Sequence, residues 1–348
     1  MDGIGGCDAH EMRFAFADPA RKLAGVRLQQ RIGLSPTEFS YAEDARAWTL
    51  VAPRPPAWRV EYQLELEHPD GARETVNDPD NPKRVGGAFG DKSVLECPEY
   101  APPAWLTAPG AKGTWRDLAV AAPSLGRDVD LRIWSPAEPT DRVLVAHDGP
   151  EFDRLAGLGQ FSAAAIAADR VAAHHLVLVA PAVGLRNEWY AANPAYAEAL
   201  VGAVLPKMAK ELDAGRPVVG LGASLGALAM LHAQRYDPSV FAGLFLQSGS
   251  FFLPRTDPQE RSFGQYQQII RFVGTVMRMP GVPVATGMTC GLVEENLHNN
   301  RRMAEALRAQ GYAAPLAEVP DGHNFTAWRD SFDPHLIELL TYVWSDDA

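Results

Sequence analysis

Hydrophobic and polar positions alternate most cleanly in "WRVEYQLEL". There Val60, Tyr62, Leu64 and Leu66 take one side and Arg59, Glu61, Gln63 and Glu65 the other. A period of two predicts a half-buried strand, and the Asp70-Gly71 pair just after it predicts a hairpin turn. "MRFAF", "GVRLQQRI" and "AWTLVA" are further strand-like runs, and no helical periodicity interrupts residues 12–106. The expectation is a small β-sandwich over 12–107, behind an unstructured lead at 1–11. A Pro- and Gly-rich exit follows, with the boundary in "TAPGAKG", residues 107–113.

Beyond residue 114 the period changes. Apolar runs at 128–134, 142–148, 175–181, 217–222, 242–249, 282–291 and 314–320 alternate with helical patterns near 157–169, 194–213, 225–236, 294–310 and 333–345. Several runs are continuously apolar, as strands of a parallel sheet covered on both faces must be. The alternation predicts an α/β doubly wound, mostly parallel sheet over 114–348. Residues 251–277 interrupt it as an insertion, expected to form either a cap or a packing helix.

Composition narrows the function. The chain has 348 residues, 47% hydrophobic and 22% charged, which is ordinary for a soluble globular protein of two units. A net charge of −11 argues against a nucleic-acid partner, which would require a basic face. No run of 18 apolar residues is present, so no membrane span is expected. "MDGIGGCDAHEMRF" lacks the basic region and apolar core of a signal peptide. The three cysteines, Cys7, Cys97 and Cys290, are odd in number and form no CxxC pair. They suggest a reducing, cytoplasmic compartment with neither a disulfide framework nor a zinc site.

The candidate chemistry lies in "GLGASLGA". Gly222-Ala223-Ser224-Leu225-Gly226 is a Gly-x-Ser-x-Gly pentapeptide between a predicted strand, "RPVVGL", and a predicted helix, "LGALAMLHAQRYD". Strand, small-residue turn and helix make the geometry of a nucleophile elbow, with the serine hydroxyl at the sheet edge. The helix N-terminus aims free N–H groups at the same place, so the backbone N–H of Leu225 is the first candidate oxyanion donor. The second is expected from "HDGPEF" after the 142–148 strand. Pro150 has no N–H, which leaves Gly149 or Glu151.

A serine nucleophile needs a base and an orienting acid, in the chain order Ser, acid, His on this fold. Of the nine histidines, His298, His323 and His335 follow both Ser224 and a plausible acid. His298 and His335 fall in predicted helices, whereas His323 sits in a Gly-containing loop after the last strand. Among the acids, Asp257 and Glu260 belong to the insertion, Glu305 lies deep in a helix, and Asp321 is too near His323 to swing beneath it. Glu294 and Glu295 follow the strand that ends at Gly291, and Glu294 is preferred.

These residues carry a resemblance. "VVGLGASLGALAMLHAQRYDPSVFAGLFLQSGSFF", "CGLVEENLHNNRRMAEALRAQGY" and "DGHNFTAWRD" resemble the enterochelin-esterase-like branch of the α/β-hydrolase family, whose relatives include esterase D, feruloyl esterases and mycolyltransferases. Ser224, Glu294 and His323 fall on the family's triad positions, with Glu294 at Gly291 plus three. "LVAHDGPEF" looks like its Asp-Gly oxyanion loop. "RVEYQLELEHPDGARETVNDPDNPKRV" resembles the immunoglobulin-like early-set module that precedes the catalytic domain in enterochelin esterases.

The resemblance implies a serine esterase with no metal or organic cofactor, acting on a small-molecule ester, with a catecholate siderophore ester as the leading substrate. Asp148, Arg186, Trp328 and Arg329 are the candidate substrate-binding residues, and Arg301 and Arg302 are further candidate cations. An acyltransferase on the same fold and a non-catalytic binding protein are the rival readings. The oligomeric state is not expressed in the sequence.

Overall fold

Strand β2 (Glu11–Ala17) pairs along its whole length with β5 (Ala47–Pro53) in the computed structural model, which describes residues 5–215 and 217–345. Strands β1 (Gly6–Cys7) and β4 (Ser40–Ala42) complete an antiparallel sheet in the order β1-β2-β5-β4. A second antiparallel sheet runs β3 (Gly25–Gln30), β6 (Arg59–Glu67), β9 (Lys92–Glu96), β8 (Arg84–Val85), with β7 (Arg73–Val76) hairpinned onto β6 through the Asp70-Gly71 turn. Met12, Phe14 and Leu50 from the first sheet share one core with Val26, Leu28, Tyr62 and Leu64 from the second. This is the expected β-sandwich.

Three features depart from the sequence reading. The lead expected to be unstructured is held from Gly6, because β1 pairs with β2, with Cys7 opposite Met12. The cysteines do form a disulfide, Cys7 to Cys97, with a sequence separation of 90. An odd count conceals such a bond when the remaining cysteine is a buried thiol outside it, as Cys290 is. Arg59, expected on the polar side of β6, is only 1% exposed. This first compact unit comprises residues up to Pro102 together with two short returns of the chain, 291–294 and 319–327.

The second unit is built on an eight-stranded sheet, ordered β10-β11-β13-β12-β14-β15-β16-β17. Its strands are β10 (Gly113–Ala122), β11 (Arg127–Pro136), β12 (Val143–His147), β13 (His175–Val179), β14 (Val218–Ala223), β15 (Phe241–Gln247), β16 (Ala285–Gly291) and β17 (Leu316–Val319). From β13 through β12, β14 and β15 to β16 the pairs are parallel; β10, β11 and β13 pair antiparallel. Every residue of β12 and β14 is buried, as continuously apolar strands require.

Between β14 and β15 the chain forms the helix Leu225–Tyr236, as its spacing predicts. Leu228 and Leu231 on it are fully buried, each contributing about 1.5–3 kcal/mol of hydrophobic stabilisation. The insertion holds the helix Tyr266–Arg278, which buries Ile269, Val273 and Val276 in the unit's core and is therefore a packing helix. A helix at Gly149–Ala156 was not expected, because Gly149-Pro150 reads as a turn. No described helix is long and apolar enough to cross a membrane.

Candidate active site

The elbow forms where β14 stops at Ala223 and the helix begins at Leu225, with Ser224 alone between them. Ser224 has φ 55° and ψ −124°, a conformation costing on the order of 1–3 kcal/mol in an L-residue. Neighbouring backbone holds it there. The Ser224 N–H donates to the Gln247 carbonyl at 2.9 Å, and the Ser250 N–H donates to the Ser224 carbonyl at 3.1 Å. Gly222 is obligatory, since a Cβ there would lie 2.4 Å from the Gly226 backbone. The Ser224 and Ser250 hydroxyls are 3.1 Å apart. Leu225 is the first helical residue, so its N–H belongs to the turn that has no intrahelical acceptor.

Beneath the elbow, His147 is fully buried and its Nδ1 lies 3.0 Å from the Gly226 carbonyl. A carbonyl only accepts, so Nδ1 carries the proton. Burial pushes the His147 pKa down to about 4, and the ring is neutral at pH 7. It packs against Tyr190, whose hydroxyl oxygen accepts the Asp148 N–H at 3.2 Å. Asp148 itself is buried with φ 51°, and its two carboxylate oxygens accept from Arg186 Nε at 2.7 Å and Nη2 at 2.6 Å. The Arg186 guanidinium in turn lies over the Tyr190 ring, 5.4 Å from its centroid.

Gly149 follows at the start of a helix and abuts β13, where a Cβ would come 2.3 Å from the Leu178 Cα. Glu151 is half-buried in the same first turn. The Asp148–Arg186 pair thus anchors the turn that offers both candidate donors.

In the first unit, Glu294 and His323 come together on the chain's two short returns. His323 Nδ1 lies 2.7 Å from Glu294 Oε2, while Glu294 Oε1 accepts the Gly291 N–H at 2.8 Å. The Glu294 side chain is 1% exposed and that of His323 30%. Glu295 is exposed. The geometry therefore distinguishes two acids that sequence alone left adjacent. His298 and His335 do not share this arrangement: His335 lies 3.7 Å from Glu338 on its own helix.

The candidate substrate-binding residues fare differently. Trp328 is 7% exposed, and its indole Nε1 donates to Ser248 Oγ at 3.0 Å. Its ring packs against Phe152. Arg329 pairs with Asp330 at 2.7 Å, Arg301 with Glu318 at 2.6 Å and Arg302 with Glu305 at 2.8 Å. Sequence reasoning missed His147, Tyr190 and Ser250 as supports of the elbow. Only the small-residue "QSGS" stretch signals one of them. Among the described residues, no group of three or more His, Cys, Asp or Glu is placed to hold a metal ion.

No family model and no curated protein matches the sequence. Solved structures do match. The enterobactin esterase of Shigella flexneri, determined in the presence of 2,3-dihydroxy-N-benzoyl-glycine, superposes with a TM-score of 0.77 at 17% identity, covering 99% of this chain and 98% of that one. The ferric enterobactin esterase of Salmonella typhimurium gives 0.77 at 18%, covering 95% and 93%. A ferulic acid esterase gives 0.54 at 15%, over 67% of this chain and 98% of that one. The chain has the fold of these esterases, and with the enterobactin esterases it shares that fold over nearly its whole length.

Proposed function

We propose that this protein is a serine carboxylic-ester hydrolase working through Ser224, His323 and Glu294. The observation that carries the reading is the backbone of Ser224, held at φ 55° directly before a helix N-terminus. A strained serine at that junction has a chemical use and no packing use. Ser224 follows directly on β14, and Glu294 comes three residues after β16 ends at Gly291, the chain order that such a triad requires. With Glu294 accepting from Nδ1, His323 Nε2 is the nitrogen that takes the serine proton in this reading.

In the proposed reaction Ser224 Oγ bonds to the ester carbonyl carbon as its proton passes to His323 Nε2. Glu294 stabilises the imidazolium. The Leu225 N–H, with Gly149 or Glu151, receives the oxyanion. Collapse breaks the bond to the leaving alcohol, which takes the proton from His323. A water then repeats the sequence and releases the acid.

The substrate class we infer is a catecholate siderophore ester, supported by the likeness to enterobactin esterases, one determined in the presence of enterobactin. Arg186 already serves Asp148, and the chain carries a net charge of −11. Both favour the iron-free ester over its more anionic ferric complex. The test is turnover of p-nitrophenyl acetate, then of ferric and iron-free siderophores, by the wild type and Ser224→Ala. The variant should lose at least ~10³-fold. Retention of more than a tenth of the activity overturns the nucleophile.

A further inference from the structure

The buried Arg59 has partners that the amphipathic pattern of β6 did not foretell. Its Nη2 donates to Glu61 Oε1 at 2.6 Å and its Nη1 to Asp321 Oδ2 at 3.3 Å. Asp321 lies 262 residues further along the chain and only two before His323. The other oxygen of the same carboxylate, Oδ1, accepts the Gly322 N–H at 2.6 Å and the Asn324 side-chain amide at 2.9 Å. Asn324 Oδ1 accepts the Ala327 N–H at 2.8 Å, setting the start of the helix that follows.

The residues on either side of His323 are thus both tied to one carboxylate, and that carboxylate is tied to β6. The loop is gripped at two more points. The Trp58 N–H donates to the Pro320 carbonyl at 2.8 Å. A Cβ on Gly322 would come 2.8 Å from Ile32 Cγ2, so the loop backbone packs closely against the Ile32 side chain. Burial outweighs the opposing Arg59 charge and holds the Asp321 carboxyl up at about 6, so its ionised form depends on that neighbour.

We infer that Arg59 and Asp321 are positioning residues for His323: the strand β6 of the β-sandwich sets the place of the imidazole through the Asp321 carboxylate. The sandwich is then part of the catalytic apparatus and not an appended binding module. This inference rests on the esterase reading above.

Replacing Asp321 by Asn keeps the shape and the Oδ1 acceptor but removes the charge facing Arg59. Folded Asp321→Asn, and likewise Arg59→Met, should lose about 10- to 100-fold in kcat on p-nitrophenyl acetate, with KM changed less than about twofold. A small displacement of a reacting group costs that much while leaving ground-state binding alone. Glu61→Gln removes the charge of another Arg59 partner without touching the loop. It should keep kcat within about twofold, and Arg59→Lys should recover part of the loss in Arg59→Met.

Circular dichroism confirms which variants fold. Arg59→Met strands two carboxylates and is the variant most exposed to misfolding, so Asp321→Asn carries the decision. A folded Asp321→Asn with wild-type kcat, beside an inactive Ser224→Ala, overturns the inference alone. Equal losses in Asp321→Asn and Glu61→Gln also overturn it, since the effect is then a general one of the buried charge cluster. An active Ser224→Ala overturns the esterase reading and this inference with it.

Discussion

Glu294 shares its carboxylate between two partners, with Oε2 2.7 Å from His323 Nδ1 and Oε1 taking the Gly291 N–H at 2.8 Å. The second bond fixes the acid's orientation before the imidazole is considered. Glu294→Gln removes the charge that stabilises imidazolium and allows the amide to face either way. kcat should fall by on the order of 10²- to 10⁴-fold. Glu295 is exposed and precedes Asn296, the N-cap of the helix Leu297–Ala309, and Glu295→Gln should lose no more than about threefold. Steady-state kinetics on the two variants decides. The reverse order would give the role to Glu295.

Arg186 neutralises a buried carboxylate, so its loss is first a matter of stability. Arg186→Met should lower the unfolding free energy by about 1–3 kcal/mol. This is below the range for fully buried pairs, because the Arg186 side chain remains 37% exposed. Arg186→Lys should restore little, since the paired Nε and Nη2 donors have no counterpart on an ammonium. Urea unfolding of the variants measures this. A lysine variant as stable as the wild type would show that charge alone suffices.

The disulfide makes a simple chemical prediction. Denatured without reductant, the protein should expose one reactive thiol, Cys290, and after reduction three. A bond closing a separation of 90 residues is worth about 4–5 kcal/mol on chain-entropy grounds, and measured losses for native disulfides are about 2–5 kcal/mol. Cys7→Ser should therefore unfold at a lower urea concentration by an equivalent of about 2–5 kcal/mol. Three thiols without reductant would show that the bond does not form in the isolated protein.

Acid sensitivity follows from two buried rings. Burial pushes the pKa values of His147 and His174 each down to about 4, below the ordinary 6.5. The unfolded chain then binds protons that the folded one refuses. The stability they permit is fully present above pH 6.5 and is lost as pH falls from 6.5 toward 4, at up to ~1.4 kcal/mol per pH unit for each ring. Thermal unfolding across that window should show Tm falling with pH. In His174→Gln the slope should be shallower, and an unchanged slope would remove His174 from the account.

Strands β2, β3, β5 and β6 of the sandwich and the helix after Ser224 were legible because each carries its own period and its own punctuation. The elbow was legible for the same reason: its glycines, strand and helix are contiguous. What could not be read was whatever depends on distant residues meeting. Arg59 occupies a polar position of an alternating strand, and nothing local says that a carboxylate from residue 321 will bury it. Cys7 and Cys97 bear no spacing motif. The Trp328 indole finds its partner, Ser248, 80 residues away. The helix at Gly149–Ala156 was hidden by a glycine and a proline that usually mark turns and here begin a helix.

The Cys7–Cys97 bond joins the first strand of the sandwich to the residue just past its last, so nearly all of that module is enclosed in one covalent ring. A peptide bond cut anywhere inside the ring leaves no free fragment, because both halves remain attached through sulfur. Proteolytic nicking of the module would pass unseen on a gel run without reductant and appear as two bands once reductant is added. The ring makes the module that grips the His323 loop tolerant of backbone breaks that would detach an open chain.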